Sequence, residues 1–118
     1  MPVRAVIVDD HAPFRASARR LLELSGFEVV GEAADGETGL ALARKLEPEL
    51  VLLDVALPAL NGFDVAARLA GTRSKVILIS SRARNDFGRR VRQSGATGFV
   101  SKDDLTSDSL LALLEERP

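Results

Sequence analysis

Asp54 is the residue of this chain whose setting most demands a chemical reason. It ends the apolar run Leu50-Val51-Leu52-Leu53 and is followed at once by Val55-Ala56-Leu57-Pro58. An ionised carboxylate at the end of a buried strand is costly unless it is paired or bound to a cation. Other strand-like runs end in groups that could answer it. Asp9-Asp10 follow Val3 to Val8, Ser80 follows Lys75 to Ile79, and Lys102 follows Gly98-Phe99-Val100-Ser101. Carboxylates crowded together repel and raise one another's pKa, so Asp9, Asp10 and Asp54 would need a divalent cation, a lysine, or both. Mg²⁺ suits an all-oxygen set that leaves room for waters and a phosphoryl oxygen. Lys102 would add a point charge for such a phosphoryl group and Ser80 a hydroxyl donor. An aspartate beside a metal and a lysine can attack phosphorus and form an acyl phosphate.

The residues meet only if the chain between them folds in the right way. Val3 to Val8 reads as a buried strand, and a helix follows from His11-Ala12-Pro13 to a stop at Gly26. Its inner face would carry Phe14, Ala18, Leu21 and Leu22, and its outer face Arg15, Arg19, Arg20 and Glu23. Phe27 to Ala33 reads as a half-buried edge strand, and Asp35-Gly36 as a turn whose aspartate caps a helix running to Pro48. After Asp54, a loop through Pro58, Asn61 and Gly62 leads to a helix with Phe63, Val65, Ala66 and Leu69 inside. Lys75 to Ile79 is the strongest strand. A fourth helix is expected from Asn85-Asp86 with Phe87 and Val91 inward among many arginines, and a fifth begins near Ser107. Strand and helix therefore alternate five times, which predicts an α/β fold: a doubly wound parallel sheet with helices on both faces. In such sheets the ligand site lies outside the carboxyl ends of the strands, where strand order reverses. A flavodoxin-like order, 2-1-3-4-5, would make the first and third strands neighbours there.

The totals narrow the field. A chain of 118 residues reads as one domain over 1–118, with the polar stretch 115–118 as the start of a linker. Without cysteine there are no disulfides and no thiolate metal sites, which suits a cytoplasmic setting, and His11 as the only histidine disfavours zinc. No run approaches the ~20 apolar residues of a membrane span. Sixteen Lys+Arg against seventeen Asp+Glu give a net charge of -1, so direct nucleic-acid binding by this stretch is disfavoured.

These pieces, in this order, carry a family resemblance: Val6-Ile7-Val8-Asp9-Asp10-His11; Leu52-Leu53-Asp54-Val55 with Leu57-Pro58 and Asn61-Gly62; Ser80-Ser81; and Gly95-Ala96-Thr97-Gly98-Phe99-Val100-Ser101-Lys102. Over nearly its whole length the chain resembles a receiver domain of bacterial two-component response regulators. Asp-Asp-His-Ala-Pro-Phe-Arg and Lys102-Asp103 further resemble receivers often joined to a helix-turn-helix DNA-binding domain. The resemblance implies that Asp54 accepts a phosphoryl group from a sensor histidine kinase. It implies that Asp9, Asp10, Asp54 and the backbone carbonyl of Ala56 hold Mg²⁺, and that Lys102 pairs with the phosphoryl oxygens. Ser80 would move to contact them while Phe99 swings inward, changing the affinity of an output partner, an attached DNA-binding domain or a second copy in a phosphorylation-dependent homodimer. Turnover would be limited to self-phosphorylation and autodephosphorylation, with Ala56 and Arg82 flanking the acceptor and phosphoryl lifetime depending on Arg82.

Each residue also has a plainer role open to it. Asp9-Asp10 and Asp54 could be caps, Lys102 a solvated lysine, Phe99 simple core, and Arg82 to Arg92 a solvated helix face. Rival functions meet specific obstacles. An aspartate-nucleophile phosphohydrolase of the haloacid-dehalogenase type would need an acid two residues after the nucleophile, where Ala56 stands. A flavodoxin-like FMN binder would bring its phosphate against Asp9-Asp10. A degenerate receiver that only docks partners would not need the full set of Asp9, Asp10, Asp54, Ser80 and Lys102.

Overall fold

The strands alternate residue by residue between two cores, because each is covered on both faces. The structure is a computed structural model that describes residues 2–82 and 84–115, with residues 84 and 85 in backbone only. Its strands are β1 (Arg4–Val8), β2 (Glu28–Ala33), β3 (Leu50–Asp54), β4 (Lys75–Ser80) and β5 (Gly98–Ser101). They form a wholly parallel sheet in the order β2-β1-β3-β4-β5. Between them lie α1 (Ala12–Leu24), α2 (Gly36–Leu46), α3 (Gly62–Leu69) and α4 (Arg90–Gln93), and α5 (Ser107–Glu115) closes the fold.

Val6, Val8, Val51, Leu53, Val76 and Leu78 pack with Leu40 and Ala43 of α2, Phe63, Ala66 and Leu69 of α3, and Val91 of α4. Their neighbours Ala5, Ile7, Leu50, Leu52, Ile77 and Ile79 pack on the opposite face with Ala18 and Leu22 of α1 and Leu110 of α5. This period of two explains why the strands read as continuous apolar runs. β2 lies at the edge and is only half-buried along most of its length. The reversal of strand order falls between β1 and β3, as the flavodoxin-like order requires.

Local signals place the helices. Asp35 caps α2 by accepting from the Thr38 N–H, and Asn61 caps α3 by accepting from the Asp64 N–H. Two expectations need correction. The single fourth helix from Asn85 is instead a 3₁₀ turn, Arg84–Phe87, followed by the short α4, because Gly88 adopts φ +56° and interrupts the ladder. Arg15 and Arg19 do not simply face solvent. Their flexible stems carry the guanidinium groups across to Glu32 on β2, at 3.4 Å and 2.6 Å. The arginine-rich stretch likewise does more than meet water: Arg90 lies 4.3 Å from the centroid of Phe63 and Arg82 lies 5.5 Å from that of Phe87. Residues 116–118 of the expected linker start lie outside the described residues.

Candidate functional site

Asp9, Asp10 and Asp54 converge beyond the carboxyl ends of β1 and β3, with ligand-capable oxygens all within 4.8 Å of one another. Asp9 is fully buried, Asp54 is 5% exposed, and Asp10 opens to solvent. The pleat explains the grouping. Val8, Leu53 and Ser101 each precede or begin the site on one side of the sheet, so the next residues, Asp9, Asp54 and Lys102, turn toward the α1/α5 side.

Backbone groups hold the acids in place. Asp9 donates its N–H to the Ala33 carbonyl and accepts from the His11 N–H through Oδ1 at 2.8 Å. His11 thus contributes its backbone. Arg15 Nη1 donates to the Asp9 carbonyl at 2.6 Å, which ties the first turns of α1 to the acidic loop. Asp54 Oδ1 accepts from the Ala56 N–H at 3.2 Å. Lys102 begins a short 3₁₀ turn after β5 and reaches back across the strand ends. Its Nζ lies 2.7 Å from Asp9 Oδ2 and 3.7 Å from Asp54 Oδ2.

The Asp9 Oδ2 atom is buried and accepts no hydrogen bond among the described residues; the Lys102 ammonium serves it as an ion-pair partner. One cation therefore faces a cluster with more negative charge than it can neutralise. The Asp54 carboxyl is pushed above the usual range, first by burial and then by the charge of Asp9, with Lys102 and the Ala56 N–H opposing and Asp10 adding to the rise. A buried acceptor without a hydrogen bond, a hard-oxygen donor set and an open side at Asp10 fit Mg²⁺.

The raised pKa has a measurable consequence in metal-free protein. A carboxyl that is harder to ionise when folded costs stability once it is ionised in both states. That cost is absent below the unfolded pKa of about 3.9 and grows as pH rises through the folded value. Asp54→Asn should therefore melt a few degrees higher than wild type at pH 7 without metal, on the order of 1 kcal/mol, with the gap closing below about pH 4. Thermal scans across that range check it; a gap independent of pH would contradict the assignment.

The two remaining residues of the predicted set lie on the opposite side of the sheet. Ser80, the last residue of β4, is 3% exposed and its Oγ accepts from the Arg82 N–H at 3.0 Å. Phe99 of β5 is half-buried against Phe87, 5.7 Å between ring centroids, and Phe87 lies 5.5 Å from Phe63. Ala56 is exposed, and the Arg82 side chain lies 3.7 Å from Asp86. Phe14 and Arg15, which the sequence marks only as an inner and an outer position of α1, also reach the site, through the Lys102 ammonium and the Asp9 carbonyl.

Comparison with known proteins agrees with this fold. Residues 5–115 match the family model described as the response regulator receiver domain. The chain is 41% identical over 111 residues to a putative transcriptional regulator of Pseudomonas aeruginosa, covering 92% of this chain and 54% of that protein. It is 42% identical over 103 residues to the virulence factors putative positive transcription regulator BvgA of Bordetella pertussis, covering 86% and 49%. Among solved structures, the signal receiver domain of the putative response regulator NarL from Mycobacterium tuberculosis superposes with a TM-score of 0.88 at 36% identity, over 98% of each chain. The chain belongs to the response regulator receiver domain family, the phosphoacceptor module of two-component signalling. It spans about half the length of the curated relatives it matches. No helix among the described residues is long and apolar enough to cross a membrane.

Proposed function

We propose that this chain is a phosphorylation-controlled switch in which Asp54 takes a phosphoryl group from the phosphohistidine of a sensor histidine kinase. The observation that carries this reading is the meeting of Asp54 with Asp9, Asp10 and Lys102 at one edge of the sheet. A carboxylate oxygen of Asp54 forms the bond to phosphorus as the phosphorus–nitrogen bond of the donor breaks, and the electron pair leaves with the imidazole. Asp9, Asp10, Asp54 and the Ala56 backbone carbonyl would hold Mg²⁺, which supplies charge neutralisation for the acids and the phosphoryl oxygens. Lys102 balances the negative charge that arrives on the phosphoryl group. Ser80 offers its hydroxyl to a phosphoryl oxygen, and Phe99 repacks among Phe63 and Phe87.

The switch acts as a population shift, because a phosphoryl group biases two conformations only by its differential contacts with them. The relatives named as transcription regulators support an output in transcription, through a DNA-binding domain outside these residues or a phosphorylation-dependent homodimer. A cytoplasmic location goes with that role. Apart from this self-phosphorylation and autodephosphorylation, no substrate is turned over.

Incubation with Mg²⁺ and acetyl phosphate, followed by intact mass, tests the reading. Wild-type protein should gain one phosphoryl group, about 80 Da, and Asp54→Asn none. An adduct that survives in Asp54→Asn would refute Asp54 as the acceptor. The same record follows adduct decay, whose rate is proposed to depend on Arg82.

A further inference from the structure

Lys102 has a third neighbour besides the two acids. Its Nζ lies 4.3 Å from the centroid of the Phe14 ring, while Asp9 Oδ2 and Asp54 Oδ2 stand at 2.7 Å and 3.7 Å. Only 18% of the Lys102 side chain meets solvent. Phe14 lies in the first turn of α1, half-buried against the core cluster that contains Ala18, Leu22 and Ile79. Its backbone is well fixed. Pro13 precedes it at the helix start, and Arg15 beside it is tied to the Asp9 carbonyl. Ring and acid are thus tied together through the first turn of α1.

We propose that Phe14 is a positioning residue for Lys102, its ring face holding the ammonium at the site while the acids turn to a cation; this inference rests on the phosphoacceptor reading. The physical need is specific. A lysine head is a strongly hydrated point charge on a flexible stem, so without a wall it spreads over many rotamers and recruits water. A third carboxylate would hold it, but would also compete with the phosphoryl oxygens for its N–H donors. An aromatic face attracts a cation without offering a directional acceptor. The ammonium can therefore stay close to Phe14 and still aim its donors at Asp9, at Asp54 or at an incoming phosphoryl group. When Asp9 is engaged by a divalent cation, the ring is the contact that remains.

Phe14→Leu keeps an apolar side chain and removes the π face; Phe14→Tyr keeps the face. Labelling by acetyl phosphate in the presence of Mg²⁺ should slow about fivefold in Phe14→Leu, the size of a partly desolvated cation–π contact, and recover in Phe14→Tyr. In a Lys102→Met background Phe14→Leu should cause no further slowing. Independently of labelling, metal-free NMR should show the Lys102 ε-methylene protons shifted upfield by the ring current in wild type and Phe14→Tyr, and relaxed in Phe14→Leu. Wild-type labelling by Phe14→Leu, equal slowing in the Lys102→Met background, or an ε-methylene shift indifferent to residue 14 would each overturn the inference. Absence of any adduct on wild-type protein would overturn the phosphoacceptor reading and this inference with it. That outcome is distinct from an adduct whose formation ignores Phe14.

Discussion

Lys102→Met should slow phosphoryl uptake by Asp54 roughly a hundredfold to a thousandfold, while Mg²⁺ binds more tightly than to wild-type protein. The opposed directions follow from one geometry. In the metal-free molecule the ammonium sits 2.7 Å from Asp9 Oδ2 and occupies an oxygen that a divalent cation would use. Removing it frees that oxygen, so the apparent metal affinity rises. During the proposed transfer the same ammonium would offset charge on the phosphoryl oxygens, and loss of one such preorganised donor typically costs 10²–10³ in rate. Methionine preserves most of the stem volume, so packing along β5 changes little. The Asp9 carboxylate, fully buried, would lose its ion-pair partner, and breaking a buried pair costs about 3–5 kcal/mol when nothing replaces it. The variant should therefore melt well below wild type without metal and recover much of the difference in millimolar Mg²⁺. Labelling rates, metal titrations and paired melting curves check the three effects. An unchanged labelling rate would show that Lys102 is only a counter-ion for Asp9.

The residues that make this site were legible in the sequence because they all sit where buried strands end. A parallel sheet covered on both faces must be apolar along each strand, so the first charged or hydroxyl residue after each run marks the rim. Asp54 after Leu53 and Lys102 after Ser101 were each open to a plainer role alone, and it was their occurrence together with Asp9, Asp10 and Ser80 at successive strand ends that marked them. Phe14 was legible as an inner residue of α1 and no more. Its place against Lys102 depends on how the first turn of α1 packs against the residue that follows β5, which periodicity along one helix does not encode. Arg15 and Arg19 show the same limit from the other side. Their helical phase put them outside, and only the lateral closeness of the β2 edge brings Glu32 within reach. The fourth helix failed for a local reason, since Gly88 takes a positive φ between Phe87 and Val91 and splits an apolar pattern that still faces inward.

In the proposed switch the two faces of the sheet would have separate roles. Asp9, Asp54, Lys102 and Phe14 belong to the α1/α5 side, whereas Phe99, Phe87 and Phe63 pack on the α2/α3/α4 side with arginines over two of the rings. Under the proposed function, chemistry on one face would reach the aromatic cluster on the other through a strand end that both share, and Ser80 would be the residue to carry it. It belongs to β4, which lies between β3 and β5, and its backbone is paired in register with Ser101, two residues after Phe99. Its oxygen accepts from the Arg82 N–H, a bond that leaves the hydroxyl proton able to donate to a phosphoryl oxygen.

Gly62→Ala is the second large effect, and it acts on Asp54 through the backbone. Gly62 opens α3, and its N–H donates to the Val55 carbonyl at 3.0 Å, which folds the loop after β3 back on the strand end. A β-carbon at Gly62 would overlap the Asp54 carbonyl oxygen and lie 2.8 Å from the Val55 Cα. These are main-chain atoms of a fully buried strand, so no rotamer change can relieve the overlap; either α3 or the end of β3 must shift. The expected cost is about 3 kcal/mol, at the upper end of overpacking by one methyl group, or a drop of roughly 10 °C in melting temperature. Asn61→Ala, one residue earlier, removes only the cap hydrogen bond to the Asp64 N–H and should cost about 1 kcal/mol. The two differ further at the site. Gly62→Ala should weaken Mg²⁺ binding and slow labelling even at temperatures where the protein is fully folded, because the displaced atoms carry Asp54 itself, whereas Asn61→Ala should label at the wild-type rate. Wild-type metal affinity in a folded Gly62→Ala protein would mean that α3 moves and the strand end does not.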